Sequence, residues 1–116
     1  SNLDLLRDLL DIAVNEKGSN AYSSRIEADN WRMAGKTGTS QVKEITEEER
    51  KEEIIISKIW NERDHALFVG YAPTIQPKYS VSIVIEHGGS GSQKAAPLGR
   101  DILLACQKIK TQGSKA

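Results

Sequence analysis

The chain has 116 residues, 38% hydrophobic and 28% charged, and its 16 basic and 16 acidic side chains cancel to a formal net charge of zero. One domain with a modest core fits these figures, whereas a dedicated nucleic-acid binder would carry a basic face. No apolar run comes near the ~18 residues that cross a bilayer, residues 1–4 lack the basic-then-apolar pattern of a leader, and the lone Cys106 excludes an internal disulfide or a cysteine metal cluster.

Leu3, Leu6, Leu10 and Ala13, widened by Leu5, Leu9 and Ile12, recur at helical spacing and predict an amphipathic helix over 3–16. Asn2 is the expected N-cap and Asp4 suits the first turn, where a carboxylate meets the positive end of the helix dipole. Gly18 stops the helix, and 19–24 read as a loop. From Trp31 to Val42 the pattern suits a strand, because Gly35 and Gly38 would each cost a helix about 1 kcal/mol. Residues 65–72 form a second short strand that Pro73 ends. Tyr79, Val81, Ile83 and Ile85 alternate with Ser80 and Ser82, the clearest half-buried strand in the chain. The link 73–77 has the length that joins antiparallel neighbours.

Residues 88–92, Gly-Gly-Ser-Gly-Ser, read as a flexible turn into a closing helix that opens near Pro97. Its expected apolar face is Leu98, Ile102, Ala105, Cys106 and Ile109, and 111–116 form a frayed polar tail. Residues 43–53 hold six Glu and three Lys or Arg. A solvated charged excursion over 43–64 is favoured there over an acidic docking site. The expected architecture is α/β (α+β) in one domain, 1–116: helix, three-stranded antiparallel sheet, helix.

Gly35-Lys36-Thr37 resembles the end of a phosphate-binding loop, but the glycine needed five residues earlier is Asn30, and a strand pattern continues through Val42. Nucleotide binding is therefore excluded. On a strand edge, Lys36-Thr37-Gly38-Thr39 has other uses. The lysine fixes a positive charge, the hydroxyls donate to a carboxylate, and the glycine lets a second backbone approach. Three residues alone occur often by chance, so a plain strand with a turn-like glycine stays open as the competing reading. His65 and His87, 22 residues apart, make a poor metal signature and read as structural. Trp31 and Trp60 read as packing residues, and Cys106 as a buried thiol. No metal or cofactor is expected.

The stretch around Lys36, with RDHALFVGYAP at 63–73, VIEHGG at 84–89 and AAPLGRDIL at 95–103, resembles the C-terminal part of penicillin-binding proteins over about residues 5–108. The nearest type is the monofunctional class B transpeptidase of cell elongation, penicillin-binding protein 2. The resemblance implies a partial serine β-lactamase/transpeptidase fold, whose full form is a five-stranded antiparallel sheet with helices on both faces. The family uses Ser-x-x-Lys, Ser-x-Asn and Lys-Thr-Gly, and only the third stands here in its context. Ser40-Gln41-Val42-Lys43 spells the first motif, but on a strand Ser40 and Lys43 point to opposite faces. Ala28-Asp29-Asn30 lacks the hydroxyl of the second.

By resemblance, Lys36 sets the electrostatics and joins the proton-transfer network. The Thr37 and Thr39 hydroxyls bind the terminal carboxylate, Gly38 leaves room for the substrate backbone, and the Thr39 amide is half of an oxyanion hole. The implied partners are a peptidoglycan stem peptide ending in D-Ala-D-Ala and the β-lactams, with no nucleic acid. The parent protein would sit at the periplasmic face of the bacterial inner membrane, touching the bilayer only through an N-terminal anchor outside this chain. The chain itself is expected to be soluble, inactive without the nucleophile, and prone to self-association through exposed strand edges such as 79–87. A non-catalytic module that binds peptides on an exposed strand edge is the alternative.

Overall fold

The computed structural model describes residues 1–42 and 62–113. Helix α1 spans Asn2–Asn15, with Asp4 in its first turn. Its cap is Ser1 and not Asn2: the Ser1 hydroxyl accepts from the Asp4 N–H at 3.3 Å and donates to the Asp4 carboxylate at 2.9 Å. Two 3-10 turns, Tyr22–Ser24 and Asp29–Trp31, lead to the sheet. The first strand, β1, is Ala34–Ser40. It starts three residues later than Trp31 because the Trp31 N–H closes a turn on the Ala28 carbonyl at 3.0 Å.

Strand β2 (His65–Ala72) has the expected bounds, and β3 (Tyr79–Ile85) ends two residues before the expected 87, where the chain turns. Strand β2 is central and antiparallel to both neighbours, with Lys36 opposite Val69, Gly38 opposite Leu67 and Phe68 between Thr37 and Ile83. Side chains alternate across a sheet, so Thr37, Thr39, Phe68, Val81 and Ile83 share one face and Lys36, Leu67, Val69 and Val84 the other. The charged excursion expected over 43–64 lies outside the described residues except for 62–64.

A helical turn of π type, Gly91–Ala95, leads into helix α2, Ala96–Gly113. The expected flexible turn over 88–92 therefore ends early, because the Ser90 hydroxyl caps the helical turn by accepting the Gln93 N–H at 3.3 Å. Helix α2 continues to Gly113, beyond the point where a polar tail is expected, and 114–116 lie outside the described residues.

The apolar face expected for α2 is corrected. Leu98, Ile102, Ala105 and Ile109 face outward, with Ile109 69% exposed, and Cys106 is half-buried. The buried ridge is Ala95, Ala96, Gly99, Leu103 and Gln107. The cause is Phe68, a fully buried ring enclosed by three glycines. A Cβ on Gly35 or Gly70 would stand 2.7 Å from that ring, and one on Gly99 2.5 Å. The helix turns its glycine inward to meet an aromatic ring, so close approach decided the buried face and the count of apolar residues did not.

Helix α1 is mostly uncovered. Only Val14 is buried, and Leu3, Leu5, Leu6, Leu9 and Ile12 are between 50% and 58% exposed. On the sheet face away from α2, Val69 and Val84 are likewise exposed. Among the described residues no strand pairs with the outer side of β1 or of β3.

Candidate functional site at the open edge of β1

The segment entering β1 is held by three elements at three successive carbonyls. Gln107 of α2 donates its side-chain amide to the Trp31 oxygen at 3.1 Å, the Thr74 N–H donates to the Arg32 oxygen at 2.9 Å, and Asn15 of α1 donates to the Met33 oxygen at 2.8 Å. The Asp11 carboxylate adds an ion pair to Arg32 at 3.1 Å and accepts from Asn15 at 2.6 Å. Each buried carbonyl must find a donor. Here those donors tie the start of the strand to both helices and to the β2–β3 link.

Beyond this anchor the strand presents its motif. Lys36 and Thr39 are exposed, and Thr37 and Gly38 half-buried. The Lys36 ammonium donates to the Thr37 carbonyl at 2.9 Å. Which peptide groups face the open edge follows from packing at Gly38. A Cβ placed on Gly91 would lie 2.7 Å from the Leu67 oxygen and 3.1 Å from the Gly38 nitrogen, and also against the Gly38 oxygen. These atoms come together only if Gly38 and Leu67 turn their peptide groups toward each other. Alternation along an antiparallel pair then aims the peptide groups of Thr37 and Thr39 outward. The Lys36 contact to the Thr37 oxygen agrees, since the ammonium reaches that oxygen on the open side.

The four expected residues thus converge on one edge that no described strand pairs: an ammonium, two hydroxyls on the opposite face from the lysine stem, and the outward amides of Thr37 and Thr39. An edge of this kind can pair with an extended peptide, and its charged and hydroxyl donors suit a carboxylate. Ser40 is exposed at the strand end, and Lys43 lies outside the described residues.

Other candidates have structural uses. The His87 N–H donates to His65 Nδ1 at 2.9 Å and His87 Nδ1 donates to the Arg63 carbonyl at 2.9 Å, with the rings 4.7 Å apart. The pair fastens the turn after β3 to the start of β2. Trp31 packs against the core, and Trp60 lies outside the described residues. Between α1 and the β2–β3 link, Arg7, Asp8, Asp11, Arg32 and Tyr71 line a cleft. Burial raises the Tyr71 phenol above its ordinary value, Arg7 opposes this, and Asp11 and Asp8 add to it. Gly91, Asn15 and Gln107 escape sequence reasoning, since their partners are 18 to 76 residues away in the chain.

Residues 1–104 match the penicillin binding protein transpeptidase domain, and the chain belongs to that family. It is 38% identical over 91 residues to the peptidoglycan D,D-transpeptidase MrdA of Haemophilus influenzae, covering 78% of this chain and 13% of that protein. Identity to the MrdA of Acinetobacter baumannii is 42% over 71 residues, 59% of this chain and 10% of that one.

Among solved structures it resembles Pseudomonas aeruginosa PBP2 in complex with WCK 5153, with a TM-score of 0.68 and 31% identity over 90% of this chain and 19% of that one. The PBP2 of a Helicobacter pylori complex with MreC gives 0.66 and 28%, over 97% of this chain and 18% of that one. These relatives and neighbours place the chain with the penicillin-binding protein 2 type, of which it spans a small part.

Proposed function

We propose that this chain is the substrate-edge portion of a peptidoglycan D,D-transpeptidase that cross-links stem peptides and is acylated by β-lactams. The observation that carries this reading is the exposed Lys36 ammonium beside the outward Thr37 carbonyl, 2.9 Å apart, on an edge that no described strand pairs in a chain of this family. The stem peptide lies along β1. Lys36 and the Thr37 and Thr39 hydroxyls take its terminal carboxylate, and Gly38 leaves space for its backbone. The Thr39 N–H receives the negative charge that grows on the attacked carbonyl oxygen, a donor worth about 3–4 kcal/mol where such donors have been removed.

A serine elsewhere in the parent protein attacks the penultimate D-Ala carbonyl and expels the terminal D-Ala. An amine of a neighbouring stem then takes the acyl group and frees the serine. Ser40-Gln41-Val42-Lys43 does not fill that role, so the 116-residue chain alone is inactive. The parent works at the periplasmic face of the inner membrane. Residues 1–116 form one unit of its transpeptidase domain. Taken alone, the chain self-associates through its open strand edges.

Labelling with a fluorescent penicillin tests the reading. The full-length parent labels, its Lys36→Ala variant labels at least about 100-fold more slowly, in the range expected for loss of an electrostatic stabiliser, and the 116-residue chain does not label. Stoichiometric acylation of the short chain at Ser40, or unchanged labelling of the parent Lys36→Ala variant, overturns it.

A further inference from the structure

At Gly38 and Leu67 the side-chain directions point away from α2, so the α2 side of the sheet offers bare backbone there. Gly91 is buried directly on that backbone. An added Cβ would meet the Gly38 carbonyl oxygen, and would stand 2.7 Å from the Leu67 oxygen and 3.1 Å from the Gly38 nitrogen. Backbone atoms paired across a ladder cannot swing aside as the end of a side chain can.

The loop carrying Gly91 is itself fixed. The Gly89 N–H donates to the Asp64 oxygen at 2.9 Å, the Lys94 N–H donates to the Ser90 oxygen at 2.9 Å, and the Ser90 and Ser92 hydroxyls meet at 3.0 Å. The Gly38 carbonyl and the Thr39 N–H belong to one planar peptide unit and point in opposite directions. Whatever bears on the carbonyl from behind therefore sets the aim of the amide in front.

We infer that Gly91 is a positioning residue: by letting the 88–92 loop lie flat against the Gly38–Thr39 peptide, it aims the Thr39 N–H at the reacting carbonyl oxygen of the substrate. This deepens the transpeptidase reading and rests on it. A methyl at position 91 tilts that peptide plane, while the lysine and hydroxyl groups that hold the carboxylate keep their places. Acylation therefore slows and ligand binding barely changes.

The test uses the full-length parent protein, with stopped-flow acylation by a fluorescent penicillin and hydrogen exchange across residues 36–40. Gly91→Ala is expected to acylate about 10-fold or more slowly, short of the 10²–10³ lost when a donor is removed outright, with the pre-acylation binding constant within threefold of wild type. Ser90→Ala, which frees the loop without adding bulk, slows acylation several-fold. Gly18→Ala, at φ +92° with nothing within 4 Å of the added methyl, strains the backbone without touching the Gly38–Thr39 peptide and acylates within twofold of wild type.

Acylation of Gly91→Ala within threefold of wild type overturns the inference. So does equal slowing by Gly18→Ala or, should Gly91→Ala not fold, wild-type acylation by Ser90→Ala. Failure of the wild-type parent to acylate refutes the transpeptidase reading instead. In that event faster exchange across 36–40 in Gly91→Ala, and not in Gly18→Ala, still supports the buttress, and unchanged exchange overturns it.

Discussion

Gly99→Ala tests by its sign the packing that places the sheet against α2. In an exposed helix interior this change stabilises by about 1 kcal/mol, because alanine loses less backbone freedom than glycine. At position 99 the new methyl would stand 2.5 Å from the Phe68 ring. Carbon contacts settle near 3.5–4.0 Å, so the overlap is about 1 Å. The ring cannot retreat toward the sheet, where Gly35 and Gly70 already meet it. Overpacking of this kind costs about 1–3 kcal/mol and offsets the gain in propensity. The expected net result is a loss of up to about 2 kcal/mol in place of the gain, read as a lower urea midpoint at constant m. Phe68→Leu makes room, so the double variant should lose less than the sum of the two single losses, by about 1–2 kcal/mol. A Gly99→Ala chain stabilised by about 1 kcal/mol would refute the enclosure of Phe68 by its three glycines.

Gln107→Leu leaves the Trp31 carbonyl without its donor and should cost about 1–3 kcal/mol; unchanged stability would show that the anchor ahead of β1 is dispensable. Burial favours the neutral Tyr71 phenol and raises it above 10.0, so its contribution is complete below pH 10 and is lost as pH rises through the raised value. Tyr71→Phe should then lose less stability than wild type above pH 10, and parallel curves would contradict this. Light scattering should show concentration-dependent association of the 116-residue chain, reduced by Val84→Lys on the open strand β3; a monomer at high concentration would contradict it.

Strand β3 was legible from its alternation of apolar and polar residues, and β2 from a short apolar run that Pro73 ends, because both patterns depend only on local sequence. Helix α1 was legible for the same local reason, and Ser1 displaced Asn2 as cap only because its hydroxyl reaches the Asp4 N–H. The face of α2 was not legible. Its apolar periodicity points to Leu98, Ile102 and Ile109, yet a ring on β2 selects Gly99, and no count within the helix contains that ring. At the site, Lys36, Thr37, Gly38 and Thr39 were readable as a motif, while the direction of their peptide groups depends on ladder parity that the motif does not encode. The contacts of Gln107, Asn15 and Gly91 with the β1 segment join residues 18 to 76 positions apart, and a loop spelled Gly-Gly-Ser-Gly-Ser reads as slack wherever its packing is unseen.

A crystal structure of the full-length parent acylated by a β-lactam tests the central claim most directly. The account predicts the ligand carboxylate within hydrogen-bonding distance of the Thr37 and Thr39 hydroxyls, with the Lys36 ammonium turned from the Thr37 carbonyl toward the ligand. The acyl carbonyl oxygen should rest on the Thr39 N–H, and Gly91 should remain against Gly38. An acyl group that leaves the open edge of β1 untouched, with Lys36 still on its own strand, would contradict it.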